Sequence, residues 1–161
     1  MASRLTKGVL GTLTAAGILA VGFVGGWEGK HNTAYRDIVG VPTICFGETR
    51  GVEMGDTATD EECAAMLGDG LVEFEAGIRR CLKNPDQIPD KSYVAFLSAA
   101  YNIGQRAFCG SSMARRWNAG NLEGACDALL LWNKAGGRVI RGLVNRRKAE
   151  RELCLEGSRA Q

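Results

Sequence analysis

Between Lys7 and Glu28 the chain runs for 20 residues, Gly8 to Trp27, without a charge. That is the length of a helix able to span a bilayer. Its composition makes it a weak span: Val9, Leu10, Leu13, Ile18, Leu19, Val21, Phe23, Val24 and Trp27 are strongly apolar, and the other eleven residues are Gly, Ala and Thr. At about −0.3 to −0.6 kcal/mol for each central Leu, Ile, Val or Phe, insertion is favoured by only a few kcal/mol before the glycines subtract. Arg4 and Lys7 hold the N-terminus on the cytoplasmic side, so whatever follows Trp27 is exported. Three fates compete: a cleaved signal peptide, a permanent anchor, and a span weak enough to leave the bilayer. The stretch is longer than the roughly 7 to 15 apolar residues of a signal peptide and has no clear A-x-A site before Glu28, which argues against cleavage. A permanent anchor would be richer in Leu and Ile. Small residues suit close packing on a soluble body, which favours the third fate.

The whole chain has 161 residues, enough for one globular core. Hydrophobic residues at 45% and charged residues at 24% exclude wholesale disorder, and Gly 22 beside Pro 3 without a period excludes a collagen-like fibre. The net charge of +2 gives no reason to expect a nucleic-acid partner. The charge is unevenly spread, with 11 acids against 3 bases over residues 28–76 and 7 acids against 15 bases over residues 77–161. An acidic first half and a basic second half suit acid chemistry on an anionic polymer, although charges spread over solvated helix faces would give the same count. Six cysteines without a C-x-x-C, together with the single His31, favour disulfides over a metal site, and hence an oxidising compartment. Six cysteines allow 15 pairings, among which the spacing alone does not choose.

Residues 33–52 are rich in β-branched and aromatic residues punctuated by Gly40, Pro42, Gly47 and Gly51, which predicts a short hairpin or three-stranded sheet. The remainder reads as helices. Thr59-Asp-Glu-Glu62 is a capping box opening a helix to about Cys81, with Leu67, Leu71, Phe74 and Ile78 on one face. Asn84-Pro85 and Pro89 break it. A second helix covers 91–104, Ser111 or Ser112 caps a third, and Asn121 caps a fourth running to Trp132. Gly136-Gly137 separates that helix from a last one over about Val139–Leu155. The fold class is therefore α+β, mostly helical, with a small N-terminal sheet.

Glu28 follows the apolar stretch, Asp37 sits in a turn entering the sheet, and Thr43 lies on the next strand. Cleavage of a glycosidic bond needs one carboxyl to protonate the leaving oxygen and a second carboxylate across the bond. A Glu and an Asp nine positions apart are weak evidence among 18 acids. Their setting adds more: Trp27-Glu28-Gly29, Ala34-Tyr35-Arg36-Asp37, Gly40 and Pro42-Thr43-Ile44-Cys45-Phe46-Gly47. Glu, eight residues, Asp, five residues, Thr resembles the signature of the phage-type lysozymes, glycoside hydrolase family 24. The resemblance continues through Tyr101-Asn102-Ile103-Gly104, Phe108 with Ser111-Ser112, Trp132 to Gly137, and Arg146 to Arg151. With the weak span ahead of it, the whole chain resembles the signal-anchor-release endolysins of tailed phages.

The resemblance implies a lysozyme-like fold with a helical C-terminal lobe, and hydrolysis of the β-1,4 bond between N-acetylmuramic acid and N-acetylglucosamine in peptidoglycan. Glu28 matches the general acid, Asp37 the carboxylate that activates water, and Thr43 a hydroxyl that helps hold that water, in an inverting reaction. Thr49, Tyr101 and Ser112 fall near positions that contact substrate. No cofactor or metal is implied. The expected partners are peptidoglycan and, through residues 8–27, the host inner membrane; nucleic acid is not expected, and the chain is expected to act as a monomer. Residues 1–27 would be the releasable anchor and 28–161 the catalytic domain, tethered and inactive at the inner membrane and then active in the periplasm. Sequence proximity and family-like placement favour Cys45 with Cys63, Cys81 with Cys109, and Cys126 with Cys154. One departure stands out: where the family often has Gly-x-Gly-His, this chain has Cys45-Phe46-Gly47-Glu48. A membrane-tethered peptidoglycan-binding module without turnover is the competing reading. A small pore-forming protein is disfavoured by the cysteine-rich body that follows the span. The basic run from Arg138 to Arg151 reads as a solvated face or a peptidoglycan-facing wall.

Overall fold

Thr14 marks where the uncharged stretch becomes helical. Its Oγ1 accepts from the Gly17 N–H at 3.1 Å, and α1 runs over Ala15–Trp27 in this computed structural model, which describes residues 2–7 and 11–160. Just before α1, β1 (Thr6–Lys7) and β2 (Thr12–Leu13) pair antiparallel. The folded chain thus makes a 13-residue helix from the 20-residue stretch; Gly8, Val9 and Leu10 lie outside the described residues. No helix among the described residues is long and apolar enough to cross a membrane. Four glycines in 13 residues cost α1 roughly 1 kcal/mol each relative to alanine, so packing must hold it. Ala16, Ala20 and Val24, spaced at i, i+4 and i+8, are its buried stripe.

The described chain divides into two compact units, Leu5–Glu73 in one and Met1–Arg4 with Phe74–Gln161 in the other. In the first, β3 (His31–Arg36) and β4 (Pro42–Cys45) form an antiparallel hairpin with Tyr35 opposite Thr43 and an irregularity between His31 and Tyr35. Isolated bridges Thr33–Thr57 and Ile44–Glu48 stand where a third strand was an option. The sheet begins at His31, so Asp37 occupies the turn inside the hairpin rather than its entrance. A small core of Ala34, Ile44, Cys45 and Cys63 lies beneath, backed by Phe46, Val52, Ala58 and Met66 and closed by the Cys45–Cys63 disulfide.

The capping box forms as the sequence predicts. The Thr59 N–H donates to Glu62 Oε2 at 2.7 Å, the Glu62 N–H donates to Thr59 Oγ1 at 3.1 Å, and α2 runs over Asp60–Arg79. Its residues from Phe74 onward count with the second unit.

At the heart of that unit α3 (Asp90–Ile103) buries every residue from Ser92 to Ala100. Gly104, at φ 93°, ends it, and α4 (Gln105–Cys109) restarts at once, a helix the sequence reading missed. Ser111 rather than Ser112 caps α5 (Ser112–Asn118), and Asn121 caps α6 (Leu122–Ala128) through the Gly124 N–H at 2.7 Å. Gly136 and Gly137, both at positive φ, form the turn between two short strands, β5 (Lys134–Ala135) and β6 (Arg138–Val139). The last helix, α7, covers Arg141–Arg159. Disulfides Cys81–Cys109 and Cys126–Cys154 complete the expected pairing, each closing a separation of 28 residues, worth about 3 to 4 kcal/mol on a chain-entropy model.

The basic run on α7 is not a uniformly solvated face. Arg146 and Arg147 are buried, and both pair with the wholly buried Glu150, at 3.1 and 2.7 Å. Ser98 of α3 adds a hydrogen bond to Glu150 Oε1 at 2.7 Å. Two of the six bases between Arg138 and Arg151 thus lie in the core.

Candidate active site

Glu28 is the residue at which α1 stops. Its backbone is extended (φ −84°, ψ 137°) while its N–H still donates to Val24 O at 3.1 Å, so its half-buried side chain leaves from the end of a fixed helix. The segment beyond it is tied to the start of α2. Lys30 pairs with Asp60 at 2.6 Å, and the Asn32 amide donates to Ala58 O and to Asp60 Oδ1, both at 2.9 Å. The Lys30 ammonium, with help from Asn32, holds the Asp60 carboxyl below its ordinary range. Glu28 is therefore held between a helix that ends beneath it and a strand pinned two to four residues later.

Asp37 and Thr43 are organised by one residue, Val41. Asp37 Oδ1 accepts from the N–H groups of Val39 (2.9 Å) and Val41 (2.8 Å), and the Asp37 N–H donates to Val41 O at 3.0 Å. Thr43 Oγ1 donates to that same Val41 oxygen at 3.0 Å. An aspartate whose side chain folds back on the backbone two and four residues ahead closes a tight loop, which is why the chain reverses here. The consequence is a carboxylate with one oxygen fixed by two donors. Thr43 is only 4% exposed, and because its hydrogen is committed to Val41 O, its hydroxyl meets any incoming group as an acceptor.

Glu48 resolves the departure after the threonine. The backbone groups of Ile44 and Glu48 bond reciprocally at 2.9 and 3.0 Å, and the Glu48 carboxylate accepts from the N–H groups of Thr49 and Arg50 and from the Arg50 guanidinium. Arg50 also reaches Glu73 at 2.7 Å. The Arg50 hydrogen bonds hold the Glu48 carboxyl well below the usual range, at about 2. The chain thus supplies its own counter-cation two residues on. Glu48, Arg50, Asp56 and Met66 help line a cavity of about 370 Å³ beneath this loop.

Among the other residues singled out, Thr49 is exposed beside Glu48 in this same unit. Tyr101 and Ser112 belong to the second unit: Tyr101 is half-buried with its ring 4.9 Å from that of Phe74, and Ser112 opens α5. Glu28, Asp37, Thr43 and Thr49 are thus carried by one unit. Sequence reasoning did not find Val41, whose role is entirely backbone and leaves no side-chain signal. Among the described residues no group of His, Cys, Asp and Glu is arranged to hold a metal ion.

A family model described as phage lysozyme matches residues 25–150. The SAR-endolysin of Pseudomonas phage phiKMV is 44% identical over 136 residues, covering 81% of this chain and 82% of that protein. Among solved structures, a mutant of P22 lysozyme superposes with a TM-score of 0.79 at 36% identity, covering 85% of this chain and 95% of that one. The active form of P1 phage endolysin Lyz gives 0.75 at 29% identity over 90% and 85% of the two chains, and the secreted inactive form of Lyz gives 0.56 at 25% over 90% and 96%. With the match running from the end of α1, through the hairpin, to α7, the chain belongs to the phage lysozyme family.

Proposed function

We propose that this chain is an endolysin, a muramidase that hydrolyses the β-1,4 bond between N-acetylmuramic acid and N-acetylglucosamine, with Glu28 as general acid and Asp37 as the base that activates water. The observation that carries the assignment is the Val41-centred hairpin, which fixes Asp37 and Thr43 nine and fifteen positions after a glutamate held at a helix end. Asp37 Oδ1 is held by two backbone donors, so a water proton passes to Oδ2. Thr43 Oγ1 accepts a hydrogen bond from the hydrogen that the water keeps, which turns the water's lone pair toward the anomeric carbon. Glu28 delivers its proton to the leaving oxygen as the bond breaks. A water between base and sugar inverts the anomeric centre, the geometry in which the two carboxyls stand roughly 6.5 to 9.5 Å apart. Thr49, Tyr101 and Ser112 contact the glycan.

Residues 1–27 serve as a releasable anchor and 28–161 as the catalytic domain. While residues 8–27 lie in the inner membrane, Glu28 stands one residue from the bilayer and α1 is not packed in its unit, so the tethered enzyme is inactive. Release into the periplasm lets α1 fold with its buried stripe and sets Glu28 in place. The higher similarity to the active form of Lyz than to its secreted inactive form supports reading this conformation as the armed one.

The test is the loss of turbidity of chloroform-permeabilised Gram-negative cells with the wild-type chain and with Glu28→Gln. Clearing by the first and not the second is expected. Binding to cell walls without clearing by either would replace the enzyme with a tethered binding module.

A further inference from the structure

Residues Ser3 and Arg4 precede the uncharged stretch in sequence, yet they belong to the unit formed by Phe74–Gln161. Arg4 is enclosed there on several sides. Its guanidinium donates to Pro85 O at 2.7 Å and to Asp90 Oδ1 at 2.5 Å, and it lies 4.3 Å from the centre of the Tyr93 ring. Its backbone N–H donates to Glu75 Oε1 at 2.8 Å, and the Ser3 hydroxyl donates to Glu75 Oε2. Glu75 is 1% exposed, and its Oε1 also accepts from the Tyr93 hydroxyl at 2.8 Å. Arg79, packed on the same groups, reaches Glu75 at 3.9 Å, Tyr93 at 3.4 Å and Asp86 at 2.8 Å. Among the described residues the body thus brings the carboxylates of Glu75, Asp86 and Asp90 together with the guanidinium of Arg79. Arg4 brings a second guanidinium. A fork-shaped cation donating in two directions over an aromatic face is what such a socket selects.

We infer that the socket formed by Glu75, Pro85, Asp90 and Tyr93 is a docking site for the chain's own Ser3-Arg4, one that only the released chain can fill, and that its occupation opposes return of residues 8–27 to the membrane. The inference rests on the releasable-anchor reading above. With residues 8–27 across a hydrocarbon core about 30 Å thick, Arg4 is on the cytoplasmic side and the socket on the other. Arg4 thus serves twice, first as a positive charge that orients the span and afterwards as the latch that holds the freed segment down. Anything that stabilises only the released state shifts the partition toward it.

Two measurements on the full-length chain test this. In the first, released wild-type protein, Asp90→Asn and Glu75→Gln are exposed to trypsin, and cleavage at the Arg4–Leu5 bond is followed by mass spectrometry against cleavage after Arg151 as an internal reference. Asp90→Asn, an exposed change that leaves the core intact, should raise the Arg4–Leu5 rate at least tenfold, and Glu75→Gln by more, with the reference rate unchanged. In the second, cells carrying each variant are depolarised with an uncoupler and the soluble periplasmic fraction is measured. Asp90→Asn and Arg4→Lys should each give at least threefold less soluble chain than wild type, with equal tethering beforehand. Equal cleavage at Arg4–Leu5 in all three proteins overturns the latch, whatever the second measurement shows. Faster cleavage with unchanged release overturns its role in holding the segment out of the membrane. A wild-type chain that is soluble before depolarisation removes the anchor reading and with it the regulatory role, leaving the docking site to be judged by cleavage alone.

Discussion

Glu48 shows at the scale of one residue how a local departure from the family pattern is absorbed. The sequence displays an acid where a cation often stands and gives no sign of how the charge is met. The answer is Arg50, two residues on, whose backbone N–H and guanidinium both donate to the Glu48 carboxylate. The Arg50 hydrogen bonds push the Glu48 carboxyl down to about 2 from an ordinary 4.5. A carboxyl whose folded value is lowered adds stability that is complete above the unfolded value and is lost as the pH falls through the folded one. Glu48→Gln should therefore lower the urea midpoint modestly at pH 7, the difference should shrink between about pH 4.5 and pH 2, and it should be absent below that. A difference that persists at pH 2 would show that the side chain acts through shape and not through charge. Glu28, Asp37 and Thr43 could be singled out as candidates from spacing and resemblance because side-chain identity is what a sequence displays. Val41 could not, because only its peptide groups take part.

Among the elements, α1 shows most clearly what composition conceals. Its glycines look alike in sequence, yet they divide into two kinds. A Cβ on Gly17 would sit 2.1 Å from Leu5 O, and one on Gly25 would sit 3.3 Å from Leu67 and Phe46 side-chain atoms, whereas Gly22 and Gly26 have nothing within 4 Å. Close approach explains the first pair. Nothing in the folded packing calls for the second pair, which is what the releasable anchor proposed above would need. Gly22→Ala should raise folded stability by about 1 kcal/mol through helix propensity alone, while Gly17→Ala should lower it because Leu5 must shift; urea unfolding of the two variants checks both signs. Gly22→Leu with Gly26→Leu should in addition deepen anchoring and delay lysis, and lysis timing unchanged from wild type would count against the releasable anchor. Replacing Gly11 or Gly17 by Leu would confuse that test, since Gly11 has φ 64° and Gly17 has no room. The capping box and the hairpin were readable because capping residues and β-branched runs act locally. The short α4 and the β5–β6 pair were not, because a helix restarting straight after Gly104 and strands of two residues carry too little period to detect.

The whole molecule combines features that sequence shows as separate lists. The cysteine order was compatible with 15 pairings, and the three formed each join cysteines consecutive in sequence, one in the first unit and two in the second. Arg146 and Arg147 depart from the solvated face expected of the basic run for a physical reason: charge counts cannot tell a solvated arginine from one desolvated against Glu150. Burial pushes the Glu150 carboxyl up while Arg147 and Arg146 oppose it. Glu150→Ala should cost about 3 to 5 kcal/mol in denaturant unfolding, since it removes the carboxylate that two buried guanidinium groups share. A loss below about 1 kcal/mol would mean that solvent reaches them. Cleavage of glycan with Glu28 as the proposed proton donor can be followed at its products. The direct measurement is mass-spectrometric analysis of the products released from purified peptidoglycan sacculi by the full chain and by Glu28→Gln. New N-acetylmuramic acid reducing ends are expected from the wild type and a loss of roughly 100-fold or more in the variant, with its folded spectrum intact. Reducing ends at N-acetylglucosamine, or a variant that keeps more than about a tenth of wild-type turnover, would contradict it.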